Sequence, residues 1–133
     1  MKQLMILLVL LAGCIGEPEP AEIVHIGLPD DLLAAVSDCD MMDDPDRREF
    51  CYVEAAEIEG QKKICDLLDA GPYKDRCLWG VARVSGDESL CAEIENPRTV
   101  RLCSLIVAND RDGCGKLDDE SEKIACLHWT DKG

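Results

Sequence analysis

The chain has 133 residues, of which 28 are acidic and 14 basic, for a formal net charge of −14. A groove that tracks nucleic-acid phosphates needs the opposite sign, so nucleic acid and anionic lipid head groups are poor partners, while cations and basic protein surfaces fit. Nine cysteines against only five aromatic residues point to a scaffold held by cross-links more than by a large apolar core.

In chain order, the first feature is an apolar run from Leu4 to Ala12 behind a single Lys2. It is far shorter than the roughly 20 residues a membrane-spanning helix needs, and it has the form of the h-region of an export signal. Leu11-Ala12-Gly13-Cys14 follows directly. This stretch resembles the lipobox of prokaryotic lipoproteins, with an aliphatic residue, two small residues and a cysteine. The resemblance implies that residues 1–13 are a signal peptide, removed before Cys14, and that the Cys14 sulfur carries lipid. It further implies a location at the cell membrane, lipid-anchored on the extracytoplasmic side. Residues 14–29 hold three of the six prolines and no helical periodicity, and are expected to be an extended acidic tether. His25, within it, is expected to be a solvated side chain with no ligand role.

The expected domain, residues 30–133, is one repeat seen four times. Its cysteines at 39, 51, 65, 77, 91, 103, 114 and 126 form consecutive pairs, each separated by 12 residues, whereas the gaps between pairs vary. Three residues after each first cysteine stand Met42, Leu68, Ile94 and Leu117, all apolar. One residue further stand Asp43, Asp69, Glu95 and Asp118, all acidic. Self-similarity at this period marks a stacked-repeat protein, with repeats 39–64, 65–90, 91–113 and 114–133.

Midway between the cysteines of each pair lies a helix breaker: Asp44-Pro45, Gly71-Pro72, Asn96-Pro97 and Asp119-Glu120-Ser121. Proline is preorganised for a first helical position, so each breaker ends one helix and opens the next. Segments 72–84 and 97–108 show apolar residues three and four apart, and Gly60, Gly86 and residues 109–113 separate successive units. The first helix opens near Pro29-Asp30-Asp31, whose acids suit a helix N-terminus. The expected fold class is all-α: eight helices in four disulfide-stapled antiparallel hairpins, stacked as a short α-solenoid.

In such a hairpin the two cysteines lie at similar heights either side of the turn. Eight cysteines allow 105 connectivities. The constant spacing favours Cys39–Cys51, Cys65–Cys77, Cys91–Cys103 and Cys114–Cys126. The competing set crosses the connectors, 51 with 65, 77 with 91 and 103 with 114, and leaves Cys39 and Cys126 at opposite ends of a stack. With Cys14 taken by lipid, the odd count becomes even. Close C-x2–4-C pairs for zinc and a C-x-x-C-H haem motif are both missing. The pattern from 39 to 130 is similar to cysteine-stapled helical-hairpin repeat proteins, tetratricopeptide-like in architecture only, and the class implies an interaction face and no chemistry of its own.

An enzyme is not expected, and neither is a cofactor. The two histidines are His25 and His128, the latter near a helix C-terminus beside Trp129, and no G-x-S-x-G, phosphate loop or H-E-x-x-H occurs. Asp43, Asp69, Glu95 and Asp118 could form an acidic ladder along the stack, or cap the following helix and pair with Arg48, Lys74 or Lys123 across the turn. Segment 110–121 imitates a calcium-binding EF-hand loop through Asp110, Asp112 and Asp118, but Cys114 and Ser121 occupy two ligand positions. The expected function is a lipid-anchored protein-binding or scaffolding module at the cell surface, with an unidentified partner that presents a basic surface. The alternatives are an acidic protein that binds divalent cations, calcium above all, and an accessory lipoprotein subunit of an envelope enzyme or transporter.

Overall fold

The computed structural model of the protein describes Ile23 and residues 25–131. The leader, Cys14 and most of the tether lie outside the described residues. Helices α1 (Asp30–Asp40), α2 (Pro45–Glu59), α3 (Lys62–Cys65) and α4 (Pro72–Ser85) are followed by a 3-10 segment, Glu88–Glu93. Then come α5 (Pro97–Val107), α6 (Arg111–Gly115) and α7 (Glu120–Thr130). No strand occurs among the described residues, and none of their helices is long and apolar enough to cross a membrane.

Four disulfides join Cys39 to Cys51, Cys65 to Cys77, Cys91 to Cys103 and Cys114 to Cys126, with Cα–Cα distances of 5.5 to 5.6 Å. These are the pairs that the constant spacing favours. Disulfides at this density belong to proteins matured in an oxidising compartment.

Each unit has two arms of unequal length. The second arm is a helix of 11 to 15 residues, α2, α4, α5 or α7. Prolines Pro45, Pro72 and Pro97 open three of these, where the missing N–H costs nothing. The first arm is a full helix only in α1. In the later units it shrinks to one or two turns: α3 has 4 residues, the 3-10 segment 6 and α6 5. Eight helical elements therefore occur among the described residues, but three of them are only one or two turns long.

The reason is a left-handed residue that stands five positions before the first cysteine of each later unit. Gly60, Gly86 and Asn109 adopt φ of 62°, 73° and 54° and end the preceding long helix. Glycine takes this conformation without the Cβ penalty, and asparagine tolerates it. The backbone N–H of Gln61 reaches Ala56 O at 3.1 Å and that of Asp110 reaches Leu105 O at 2.9 Å, closing the helix ends in Schellman fashion. So few residues remain before the cysteine that one or two turns are all the chain can form. Asp87 and Asp110 cap these turns by accepting from Ser89 N and Gly113 N.

The long helices pack successively, α2 on α4, α4 on α5 and α5 on α7, and each short first arm lies against the long helices on either side of it. The core holds Val36, Val53, Ile64, Leu78 and Val81, together with seven fully buried cysteines. Ala56 and Ala82, equivalent positions of the first two units, are fully buried. Trp79 packs against both this core and a smaller one around Ile106, Leu117 and Cys126.

A helix of one or two turns has no stability of its own, so the cystines hold the first arms in place. Each closed loop contributes about 3 kcal/mol by restricting the unfolded chain. Reduction with dithiothreitol is therefore expected to lower the melting temperature sharply and to remove much of the helical circular dichroism; unchanged helicity after complete reduction contradicts this account.

Candidate functional site

The breakers bring the first turns of the long helices to a common edge. Asp44, Asn96 and Asp119 cap α2, α5 and α7, accepting from Arg47 N at 3.0 Å, Arg98 N at 3.0 Å and Glu122 N at 3.0 Å. The Ser121 hydroxyl, and then the Glu122 amide, hold the Asp119 carboxyl below the usual carboxylate range. The cap in α4 is Gly71, which has no side chain to offer. Asp75 in its first turn instead reaches the next unit, where Oδ1 accepts from Glu95 N at 2.8 Å and Oδ2 from Asn96 N at 3.0 Å. This buried carboxylate fastens α4 to the turn that opens α5. Arg98 continues the edge to α7, pairing with Glu122 at 2.5 Å and Asp119 at 3.4 Å.

Two open clefts lie between these first turns. The larger, about 540 Å³, separates α4 from α5 and is lined by Pro72, Arg76, Trp79, Glu95 and Pro97. The smaller, about 370 Å³, lies along α2 and is lined by Asp46, Arg47, Phe50, Glu54 and Tyr73. They adjoin, because the Arg76 guanidinium of one stacks 5.1 Å from the Phe50 ring of the other, and Pro72 and Tyr73 are sequence neighbours. Three of the five aromatic residues of the chain thus line two surface clefts. Aromatic side chains placed at a surface and bordered by polar groups are the composition of binding surfaces.

Asp43, Asp69, Glu95 and Asp118 are all exposed and sit at the same edge, in the turns between first and second arms. None of the four carboxylates has a hydrogen-bond or ion-pair partner among the described residues. The helix caps fall to their neighbours instead, and Lys123 pairs with Glu120 at 3.3 Å. Glu95 alone of the four lines a cleft. The calcium candidates are not drawn together: Asp110 is occupied as the cap of α6, Asp112 and Asp118 are exposed, and no group of three potential metal ligands occurs among the described residues.

Two further polar clusters are visible only in three dimensions. His25, expected to be solvated, is docked on the domain, its Nε2 2.8 Å from Asp40 Oδ1 and its ring edge-on to Tyr52 at 6.0 Å. Tyr52 donates to the same Asp40 oxygen at 2.5 Å. Burial first, then this hydrogen bond and the Asp40 charge, push the Tyr52 phenol far above its ordinary value. At the other end, Arg83 lies 5.6 Å from the Trp79 ring and 4.5 Å from the Trp129 ring, with Glu57 at 3.9 Å. The two indoles meet edge to face at 5.7 Å, and His128 is exposed beside Trp129. Arg83 therefore ties the second unit to the last.

Compared with known proteins, the chain matches no family model, no curated protein and no solved structure.

Two outcomes test this geometry. Asp75→Ala leaves the Glu95 and Asn96 amides without this partner and is expected to cost about 1–3 kcal/mol of unfolding free energy, read by urea denaturation; a loss below ~0.5 kcal/mol contradicts the fastening role. For Tyr52 the folded protein holds its proton more tightly than the unfolded chain does, so its contribution is complete below pH 10.0 and is lost as pH rises above that value. Stability is therefore expected to fall continuously as pH rises from about 10 upward, and Tyr52→Phe to flatten that fall.

Proposed function

We propose that the protein is a lipid-anchored, extracytoplasmic binding module. In this reading residues 1–13 are removed, Cys14 carries lipid, and the Pro-rich segment after it spans the short distance from membrane to domain. The domain is a short α-solenoid of four stapled hairpins with their turns along one edge. The successive packing of α2, α4, α5 and α7, and the adjacency of their first turns, support that description. Its role is to hold a partner protein at the cell surface.

The observation that carries the reading is the placement of Phe50, Tyr73 and Trp79. A chain this poor in aromatic residues gains most by burying them, yet these three line adjoining clefts. Phe50 is 37% exposed. Unpaired carboxylates border the same edge and favour a partner with a basic surface.

The test is made in intact cells with a photo-crosslinking p-benzoylphenylalanine in place of Phe50 or, as a control, of Ile124, which is 61% exposed on α7 and lines neither cleft. A discrete protein adduct from position 50 and none from 124 is expected, and Cys14→Ala is expected to move the protein out of the membrane fraction. No adduct from either position contradicts a binding module, and membrane retention of the Cys14 variant contradicts the anchor.

A further inference from the structure

The geometry points to one occupant for the two clefts: an extended segment of a partner protein that carries two apolar side chains three residues apart, with lysine or arginine between and beside them. This inference rests on the binding-module reading and adds the chemistry of the partner.

The spacing follows from the packing. One cleft lies along α2 beside Tyr73 of α4, the other between α4 and α5, so the two are one helix step apart. Packed helices lie about 8–10 Å apart, and an extended chain in the polyproline-II form advances about 3.1 Å per residue and returns a side chain to the same face every third residue. One helix step is therefore about three residues of extended peptide. The volumes, about 370 and 540 Å³, each admit an aliphatic or aromatic side chain with room to spare. Apolar side chains line each cleft: Met42, Phe50 and Tyr73 in one, Pro72, Trp79 and Pro97 in the other.

Charge decides which segment fits. Asp46 and Glu54 line the smaller cleft and Glu95 the larger, all exposed and without partners among the described residues. With Asp75 they make four acids lining the clefts against two bases, Arg47 and Arg76, so the lining is net negative. Two occupants from the protein itself are disfavoured by the same charges. Residues 15–22 carry Glu17, Glu19 and Glu22 and no base, and a second copy brings another net charge of −14. A basic partner segment meets the acids with opposite sign and buries its apolar anchors on the aromatic floors.

The test uses the mature, disulfide-bonded protein and follows tryptophan fluorescence, since Trp79 lines the larger cleft. The probe is a synthetic ten-residue peptide with two leucines three positions apart among lysines. One comparison peptide has the same composition with the leucines adjacent, and another has glutamate in place of lysine. Saturable binding of the probe is expected, weaker by about tenfold or more for each comparison peptide. The exposed-site variants Phe50→Ser and Glu95→Lys are each expected to weaken it by a similar factor, with unchanged circular dichroism. Equal binding of the two lysine peptides, indifference to both variants, or no binding of the probe overturns the proposal. If a partner is nevertheless crosslinked at position 50 in cells, the binding-module reading survives and only this description of the partner falls.

Discussion

The twelve-residue disulfide loop is the constraint from which the rest of the structure follows. It fixes a point near the start of each long helix to a point just before the preceding turn, at a Cα separation of 5.5 to 5.6 Å. With that link made, the first arm needs neither length nor helix propensity. In the last three units it is one or two turns between a left-handed cap and a breaker, too short to persist unaided. The chain therefore reaches four units in about 100 residues, each with a small apolar share, and the cystine sulfurs fill core volume that aromatic rings occupy elsewhere. Phe50, Tyr73 and Trp79 thereby line the surface clefts, Tyr73 and Trp79 while also packing against the core.

The breakers set the edge on which the two clefts lie. Because each long helix starts immediately after a breaker, the first turns stand side by side, and their backbone donors are met by Asp44, Asn96 and Asp119. Asp75 serves the adjoining unit, so the wall of the larger cleft is fixed by a buried carboxylate from the other side of it. Beneath the clefts Trp79 belongs to both core clusters and to the Arg83–Trp129 contact.

The pairing of cysteines and the positions of the breakers were legible in the sequence because both recur at fixed offsets, and proline and cysteine each carry one strong geometric meaning. The lengths of the first arms were not. Gly60 and Gly86 are visible as separators, but their distance of five residues from the next cysteine matters only once the left-handed cap is known to end the helix. The role of Asp75 was hidden by a one-residue offset: Pro72 stands five before its cysteine, where Pro45 and Pro97 stand six before theirs. Capping acids in the neighbouring units gave no hint that a glycine cap here leaves an aspartate to serve the next turn. His25 was masked by composition, since a proline-rich neighbourhood says nothing about a partner 15 residues away. Each cleft combines side chains from different elements, so neither shows as a local motif. The acidic positions were visible, but the sequence could not tell the residues that cap from those, one position earlier, that stay free.

The most direct measurement is a non-reducing peptide map of the mature protein by mass spectrometry, which reports the four links and the modification of Cys14 together. The account predicts Cys39–Cys51, Cys65–Cys77, Cys91–Cys103 and Cys114–Cys126, with lipid on an N-terminal Cys14. Free thiols, bound metal in place of the links, or pairs across the connectors such as Cys51 with Cys65 would contradict it, and the proposed binding edge would fall with those links.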